Sequence, residues 1–122
     1  MSRPRRGPLP LYDITQAEPF AFTAAAWFWA MTGYISRLEG GRPHPEAGRV
    51  LRVCEPGDII RVFLRLQRDQ QLTPAHVAVL VRYGREGIAP DARLPRQRSH
   101  AALWQGGLAT MEPVLRRKGI VP

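Results

Sequence analysis

The sequence predicts an all-α protein, a small domain of four or five helices. Apolar residues recur at steps of three and four along most of the chain, which is the spacing of one helical face. Pro and Gly stand at the ends of these apolar stretches, where helices start and stop. The 122 residues are 44% hydrophobic and 23% charged, a composition typical of one globular domain. We expect a basic arm over residues 1–18 and a single helical domain over residues 19–122.

The charge of the chain is +8 and unevenly distributed. Residues 1–12 contain three Arg and no acid, and residues 59–122 contain eleven bases and four acids. An excess of positive charge favours nucleic acid and other anionic partners. The arm is rich in Pro, which disfavours helix, so we expect either a flexible, disordered terminus or a segment that contacts a nucleic-acid backbone. The C-terminal half and the arm are therefore the parts predicted to face an anion.

The first helix is predicted over residues 19–39 and is expected to end at Gly40 in the left-handed conformation. Its apolar face consists of Phe20, Ala24, Trp27, Phe28, Met31, Ile35 and Leu38. Trp29 and Phe22 lie off that face, so the helix is apolar on more than one side. This pattern indicates either burial in the core or a protein interface formed by Trp27, Trp29 and Phe22, for example in a homodimer.

The second helix is predicted over residues 54–71. Its buried stripe consists of Ile59, Val62, Phe63 and Leu66. Arg61, Arg65 and Arg68 form another stripe at steps of four and three residues. A basic stripe of this kind is either a solvated face or a surface that follows phosphates or meets an acidic protein.

The third helix is predicted over residues 72–84. Thr73 is the expected N-cap, Pro74 suits the first helical position, and Gly84 is expected to close the helix. Val77, Leu80 and Val81 should face inward.

An irregular connection rich in Arg and Pro is predicted over residues 85–98. It is far longer than the turn of three or four residues in a helix-turn-helix unit. The densest basic cluster of the chain lies here and at the end of the third helix: Arg82, Arg85, Arg93, Arg96 and Arg98. Such a cluster is either a site for nucleic-acid backbone contacts or a solvated loop.

The last helix is predicted over residues 99–118, with Ser99 as its cap. A break or kink is expected near Gly106-Gly107 or at Pro113, because Pro removes a backbone hydrogen bond. The helix ends in Arg116, Arg117 and Lys118. Cations at this end complement the helix dipole and can also bind phosphate.

No catalytic or cofactor-binding pattern is present. The chain contains a single Cys and three His, without the spacing of a zinc site, and it lacks a glycine-rich phosphate loop. We expect no enzymatic activity, no cofactor and no small-molecule substrate. No stretch reaches the ~18 apolar residues of a membrane span, and no apolar signal segment follows the N-terminal Arg residues. The predicted location is cytoplasmic, without a membrane partner.

Two segments resemble small phage-type transcription regulators. They are Leu-Thr-Pro-Ala-His-Val-Ala-Val-Leu-Val-Arg-Tyr-Gly at residues 72–84 and Glu-Pro-Val-Leu-Arg-Arg-Lys-Gly at residues 112–119. The resemblance is to late-gene antiterminators and sigma region-4-like modules, including those of alphaproteobacterial phage-like particles. It implies a protein that binds DNA and RNA polymerase and changes transcription. The residues themselves predict a basic helix-loop-helix region over residues 72–119.

Two functions therefore follow as hypotheses. The first is a DNA-binding transcription regulator, of the activator or antiterminator type, in which Arg61 and Arg65 widen the main basic patch. Its candidate nucleic-acid-binding residues are Arg61, Arg65, Arg82, Arg85, Arg93, Arg96, Arg98, Arg116, Arg117 and Lys118. The alternative is a non-enzymatic adapter that self-associates or docks through the aromatic first helix.

Overall fold

The computed structural model describes residues 18–40 and 52–122. Its helices are α1 (Thr23–Leu38), α2 (Pro56–Arg68), α3 (Pro74–Glu86) and α4 (Arg98–Arg117), with a 3-10 helix at Pro95–Gln97. The described ranges contain no strand, and the one isolated β-bridge joins Glu18 to Arg52. The predicted all-α class is confirmed. Residues 1–17 of the predicted arm lie outside the described ranges.

A single apolar core lies between the helices, because each helix buries one stripe of side chains. The largest fully buried side chains are Trp27, Ile59, Leu72, Leu80, Met111 and Leu115. Each of the four α-helices contributes at least one of them, and Leu72 comes from the short connection between α2 and α3. Each side chain of this size stabilises the fold by about 1.5–3 kcal/mol when fully buried.

Local capping determines where α2 and α3 begin. Pro56 is the first residue of α2, and the Asp58 carboxylate accepts a hydrogen bond of 2.8 Å from the Glu55 N–H. In α3, the Thr73 hydroxyl accepts a hydrogen bond of 3.2 Å from the His76 N–H. These side chains satisfy backbone N–H groups that have no partner within the helix. The predicted cap at Thr73 is confirmed.

The first helix starts later than its apolar pattern predicts. α1 begins at Thr23 instead of residue 19, because the chain before it is held extended. The Phe20 N–H donates a 2.9 Å hydrogen bond to the Ile120 carbonyl, and the Phe20 side chain is buried. At the other end Gly40 has φ +80°, so the predicted end of the helix is confirmed.

Gly84 does not close the third helix, contrary to the prediction. α3 continues to Glu86, and Gly87 adopts the left-handed conformation with φ +75°. Gly84 is buried inside the helix, where a Cβ atom would lie 2.7 Å from Trp27 Nε1. Glycine is therefore used at this position for close packing of α3 against α1.

The last helix is continuous, so the expected break at Gly106-Gly107 or Pro113 is wrong. α4 also starts at Arg98, directly after the 3-10 helix, and Ser99 is not its cap. Leu108, Met111 and Leu115 are buried on either side of Pro113. Packing along this face holds the helix together although the N–H that would bond to Ala109 is missing.

Candidate nucleic-acid interface

α3 and α4 form an antiparallel helical hairpin. The Tyr83 hydroxyl lies 2.8 Å from His100 Nδ1, which joins the end of α3 to the start of α4. Farther along, a Cβ atom on Gly106 would lie 3.1 Å from His76 Nε2, so the start of α3 meets the middle of α4. The last turn of α3, the connection and the first turn of α4 consequently share one end of the molecule. We call residues 82–98 the hairpin end.

Half of the ten predicted nucleic-acid-binding residues lie at the hairpin end. They are Arg82, Arg85, Arg93, Arg96 and Arg98, and all five are exposed. Glu86 and Asp91 are the only carboxylates within residues 82–98. The hairpin end therefore has a local excess of positive charge, as the sequence predicts.

Three of these arginines already have partners. Arg93 contacts Asp91 through Nη2 at 2.9 Å and Nε at 3.1 Å, and its side-chain hydrogen bond lowers the pKa of that carboxyl. Arg82 lies 3.6 Å from the Glu86 carboxylate and over the Tyr83 ring. Arg98 reaches the Ala92 carbonyl at 3.5 Å.

The remaining two arginines of the hairpin end are the most available. Neither Arg85 nor Arg96 forms an ion pair with a carboxylate of residues 18–40 or 52–122. Both side chains belong to exposed residues. They can therefore bind an external anion without first giving up an ion pair with any of these described carboxylates.

Arg61, Arg65 and Lys118 lie on a different surface. They line a groove of about 730 Å³ between α2 and the end of α4. Lys118 follows α4 and Arg98 begins it, so a rise of 1.5 Å per residue separates them by about 30 Å. The expectation that Arg61 and Arg65 widen the patch at residues 82–98 is therefore wrong.

Arg116 and Arg117, which were predicted to bind nucleic acid, lie outside both the hairpin end and the lining of this groove. Arg116 forms an ion pair with Glu112, and its Nε donates a 2.8 Å hydrogen bond to the Pro122 carbonyl. Arg116 also lines a separate depression, together with Phe22. Arg117 is exposed and does not line the groove between α2 and α4.

Two of the three aromatic residues predicted to form a protein interface on α1 pack in or against the core instead. Trp27 is completely buried, so its assignment to a protein interface is wrong and the alternative core role is confirmed. Trp29 is half-buried, with its ring 5.0 Å from that of Phe20. Phe22 alone of the three keeps a largely exposed side chain, at 55%. The apolar residues on several sides of α1 are explained by packing against several neighbours.

One contributor to the groove was missed by the sequence prediction of the site. Leu64 is 50% exposed beside the arginines of α2, whereas Arg68, which also lines the groove, belongs to the basic stripe predicted for this helix. The signal was available, since residues 61, 64, 65 and 68 share one helical face. Conversely, Trp104 is buried, so the middle of α4 does not present it to a partner.

No protein-family model, curated protein or solved structure matches this chain. The resemblance to phage-type transcription regulators therefore stays a prediction. None of the described helices is long and apolar enough to cross a membrane. Within the described ranges, no three His, Cys, Asp or Glu side chains are grouped in a way that could hold a metal ion.

Proposed function

We propose that the protein is a DNA-binding transcription regulator that contacts DNA phosphates through the hairpin end. The observation that supports this is the convergence of five arginines from two helices and their connection, against two carboxylates. Arginine binds phosphate oxygens through a planar fork of donors. The action on transcription together with RNA polymerase, as activator or antiterminator, is supported by the resemblance of residues 72–84 and 112–119.

The proposed contact is with the phosphates of the DNA backbone. Arg85 and Arg96 bind phosphates first, since no carboxylate of the described residues forms an ion pair with either of them. Arg82 and Arg98 add charge from the two helices, whereas Arg93 must exchange Asp91 for phosphate. Contacts of this kind position a protein on DNA without reading its sequence.

Fluorescence anisotropy with random-sequence duplex DNA over a series of salt concentrations tests the proposal. Each phosphate contact contributes about 0.9 to the slope of log affinity against log salt. The double variant Arg85→Ala with Arg96→Ala is expected to lose about tenfold in affinity at low salt and up to about two units of slope.

The matched control is Arg61→Ala with Arg65→Ala, which removes the same charge from the groove. At about 0.15 M salt its affinity for DNA should stay within about twofold of the unsubstituted protein, because attraction over more than about 8 Å is then largely screened. Equal losses in the two double variants, or no binding at low salt, would contradict the assignment of the hairpin end.

A second candidate is an adapter that self-associates through α1. The exposed side chains of Phe22 and Leu38, at 55% and 69%, favour it. Light scattering over a range of protein concentrations decides this point. A dimer that dissociates in the Phe22→Ser variant supports the adapter, and a monomer at every concentration excludes self-association.

A further inference from the structure

The groove between α2 and α4 combines an apolar base with a basic edge. Val62, Leu66 and Ile120 line it as buried side chains, and Val114 is partly buried there. Exposed residues also line it: Arg61, Leu64, Arg65, Arg68 and Lys118. A surface of this composition suits a ligand that is apolar on one side and negatively charged beside it.

Leu64 stands among cations on the face of α2. Arg61 precedes it by three residues, while Arg65 and Arg68 follow it by one and four, so all four side chains share one face. This face spans about 10 Å along the helix axis. Half of the Leu64 side chain is exposed, although α2 buries five other residues completely or nearly so. A partner that covers Leu64 would remove this apolar surface from water.

The positive charges at the groove are only partly neutralised by carboxylates of the described residues. Arg61 pairs with Asp58, one turn earlier, and Arg68 pairs with the adjacent Asp69 at 3.3 Å. Among the described residues no carboxylate forms an ion pair with Arg65 or Lys118. Both existing pairs are solvent-exposed and therefore weak, so carboxylates of a partner can replace them.

We propose that this groove docks an acidic amphipathic helix of a partner protein. An apolar side chain of that helix packs on Leu64 and the apolar base, and Asp or Glu residues at helical spacing contact Arg61, Arg65, Arg68 and Lys118. This is helix-in-groove recognition, in which apolar anchors supply affinity and charges supply specificity. Duplex DNA has no apolar side chain to fill the base of the groove. The inference does not depend on DNA binding at the hairpin end.

Peptide display on the full chain tests the proposal. Random peptides of about four helical turns are selected for binding, and enriched peptides are labelled for anisotropy measurements. We expect enriched peptides in which apolar residues recur every three or four positions and acidic residues recur at the same spacing beside them. Their affinity should fall about tenfold in the triple variant Arg61→Ala, Arg65→Ala, Arg68→Ala, because three exposed ion pairs are lost together.

Two further variants test the apolar contribution of Leu64 to peptide affinity and the absence of a contribution from the hairpin end. Leu64→Ala should weaken the same peptides about threefold or more by removing the apolar anchor. Arg85→Ala with Arg96→Ala should leave peptide affinity unchanged, since these residues belong to the hairpin end. All substituted side chains are exposed, and thermal unfolding monitored by circular dichroism checks that each variant is folded.

The proposal is overturned by any of three results. These are no enrichment above background, enriched peptides without acidic residues, or equal affinity for the triple variant. It is also overturned if the triple variant loses as much DNA affinity as the double variant at the hairpin end, because the groove is then a nucleic-acid surface. Failure of DNA binding alone leaves the peptide result intact, so the two proposals are tested separately.

Discussion

The indole N–H of Trp27 donates a hydrogen bond of 2.9 Å to the backbone carbonyl of Leu80 in the core. This bond joins α1 to α3 across 53 residues of sequence. It requires the Trp27 ring to lie directly on the backbone of α3, and Gly84, one turn later, leaves the necessary space. The position of the indole is thus linked to the absence of a side chain at residue 84.

Gly84→Ala is expected to destabilise the protein by about 1–3 kcal/mol, the usual cost of overpacking a core. The new Cβ would lie 2.7 Å from Trp27 Nε1 and 2.9 Å from Met31 Cγ, so α1 must shift despite the better helix propensity of Ala. Unfolding in urea measures the change. Gly57→Ala is the control, because the nearest side-chain atom that its Cβ would meet is Arg61 Nη1, at an ordinary contact distance of 3.9 Å. Equal effects in the two variants would refute the packing explanation.

Pro113→Ala is expected to raise the free energy of unfolding by about 1–2 kcal/mol. The change restores a helix hydrogen bond worth up to ~3 kcal/mol at an interior position and returns ~1 kcal/mol of chain entropy to the unfolded state. Pro113 is exposed, so no core contact is lost. Pro74→Ala serves as the control at the first position of α3, where Pro is compatible with the helix and removal should give no gain. A loss of stability in Pro113→Ala would contradict this account of α4.

Asp91→Asn is expected to raise DNA affinity a few-fold and to increase the salt slope by about one unit, because it releases Arg93 for a phosphate contact. Asn keeps the side-chain oxygen that accepts the 2.9 Å hydrogen bond from the Arg93 N–H. The contact with Arg93 lowers the pKa of the Asp91 carboxyl, so the charge persists at neutral pH and substitution is needed to remove it. Asp69→Asn, beside Arg68 in the groove, should leave DNA binding unchanged. Anisotropy measurements that show no difference between the two variants would contradict the assignment.

Cys54 is expected to react slowly with alkylating reagents in the folded protein. Burial, reinforced by the negative charges of Asp58 and Glu55, raises the pKa of its thiol from 9.0 to about 11. Near pH 8 the reactive thiolate should therefore be about a hundredfold scarcer than in the unfolded chain. Cys54 is the only cysteine, so the total rate of alkylation reports on it alone.

The pH profile of this reaction shows whether the pKa of the Cys54 thiol is higher in the folded protein than in the unfolded chain. The rate should keep rising toward about pH 11 in the folded protein and should level near pH 9 in urea. Because the folded state binds the thiol proton more tightly, the associated stability is present below pH 9 and is lost as the pH rises toward 11. A folded-state profile that levels near pH 9 would contradict the burial of the thiol.

The candidate surfaces show how far local sequence information extends. Arg82, Arg85, Arg93, Arg96 and Arg98 are close in sequence, and an antiparallel hairpin keeps them close in space. Arg61 and Lys118 are 57 positions apart in the sequence, yet they line one groove. No local pattern reveals that juxtaposition, because it arises only when α2 packs against the end of α4.

By itself the sequence determined the helical class, the start of α3 at Pro74 after its cap at Thr73, and the excess of positive charge. These follow from periodicity, proline, capping residues and composition, which act over a few residues. Tertiary structure decided that Gly84 and Pro113 lie inside helices and that Trp27 belongs to the core. Packing decided these points, because contacts between distant segments outweigh local propensities of about 1–3 kcal/mol.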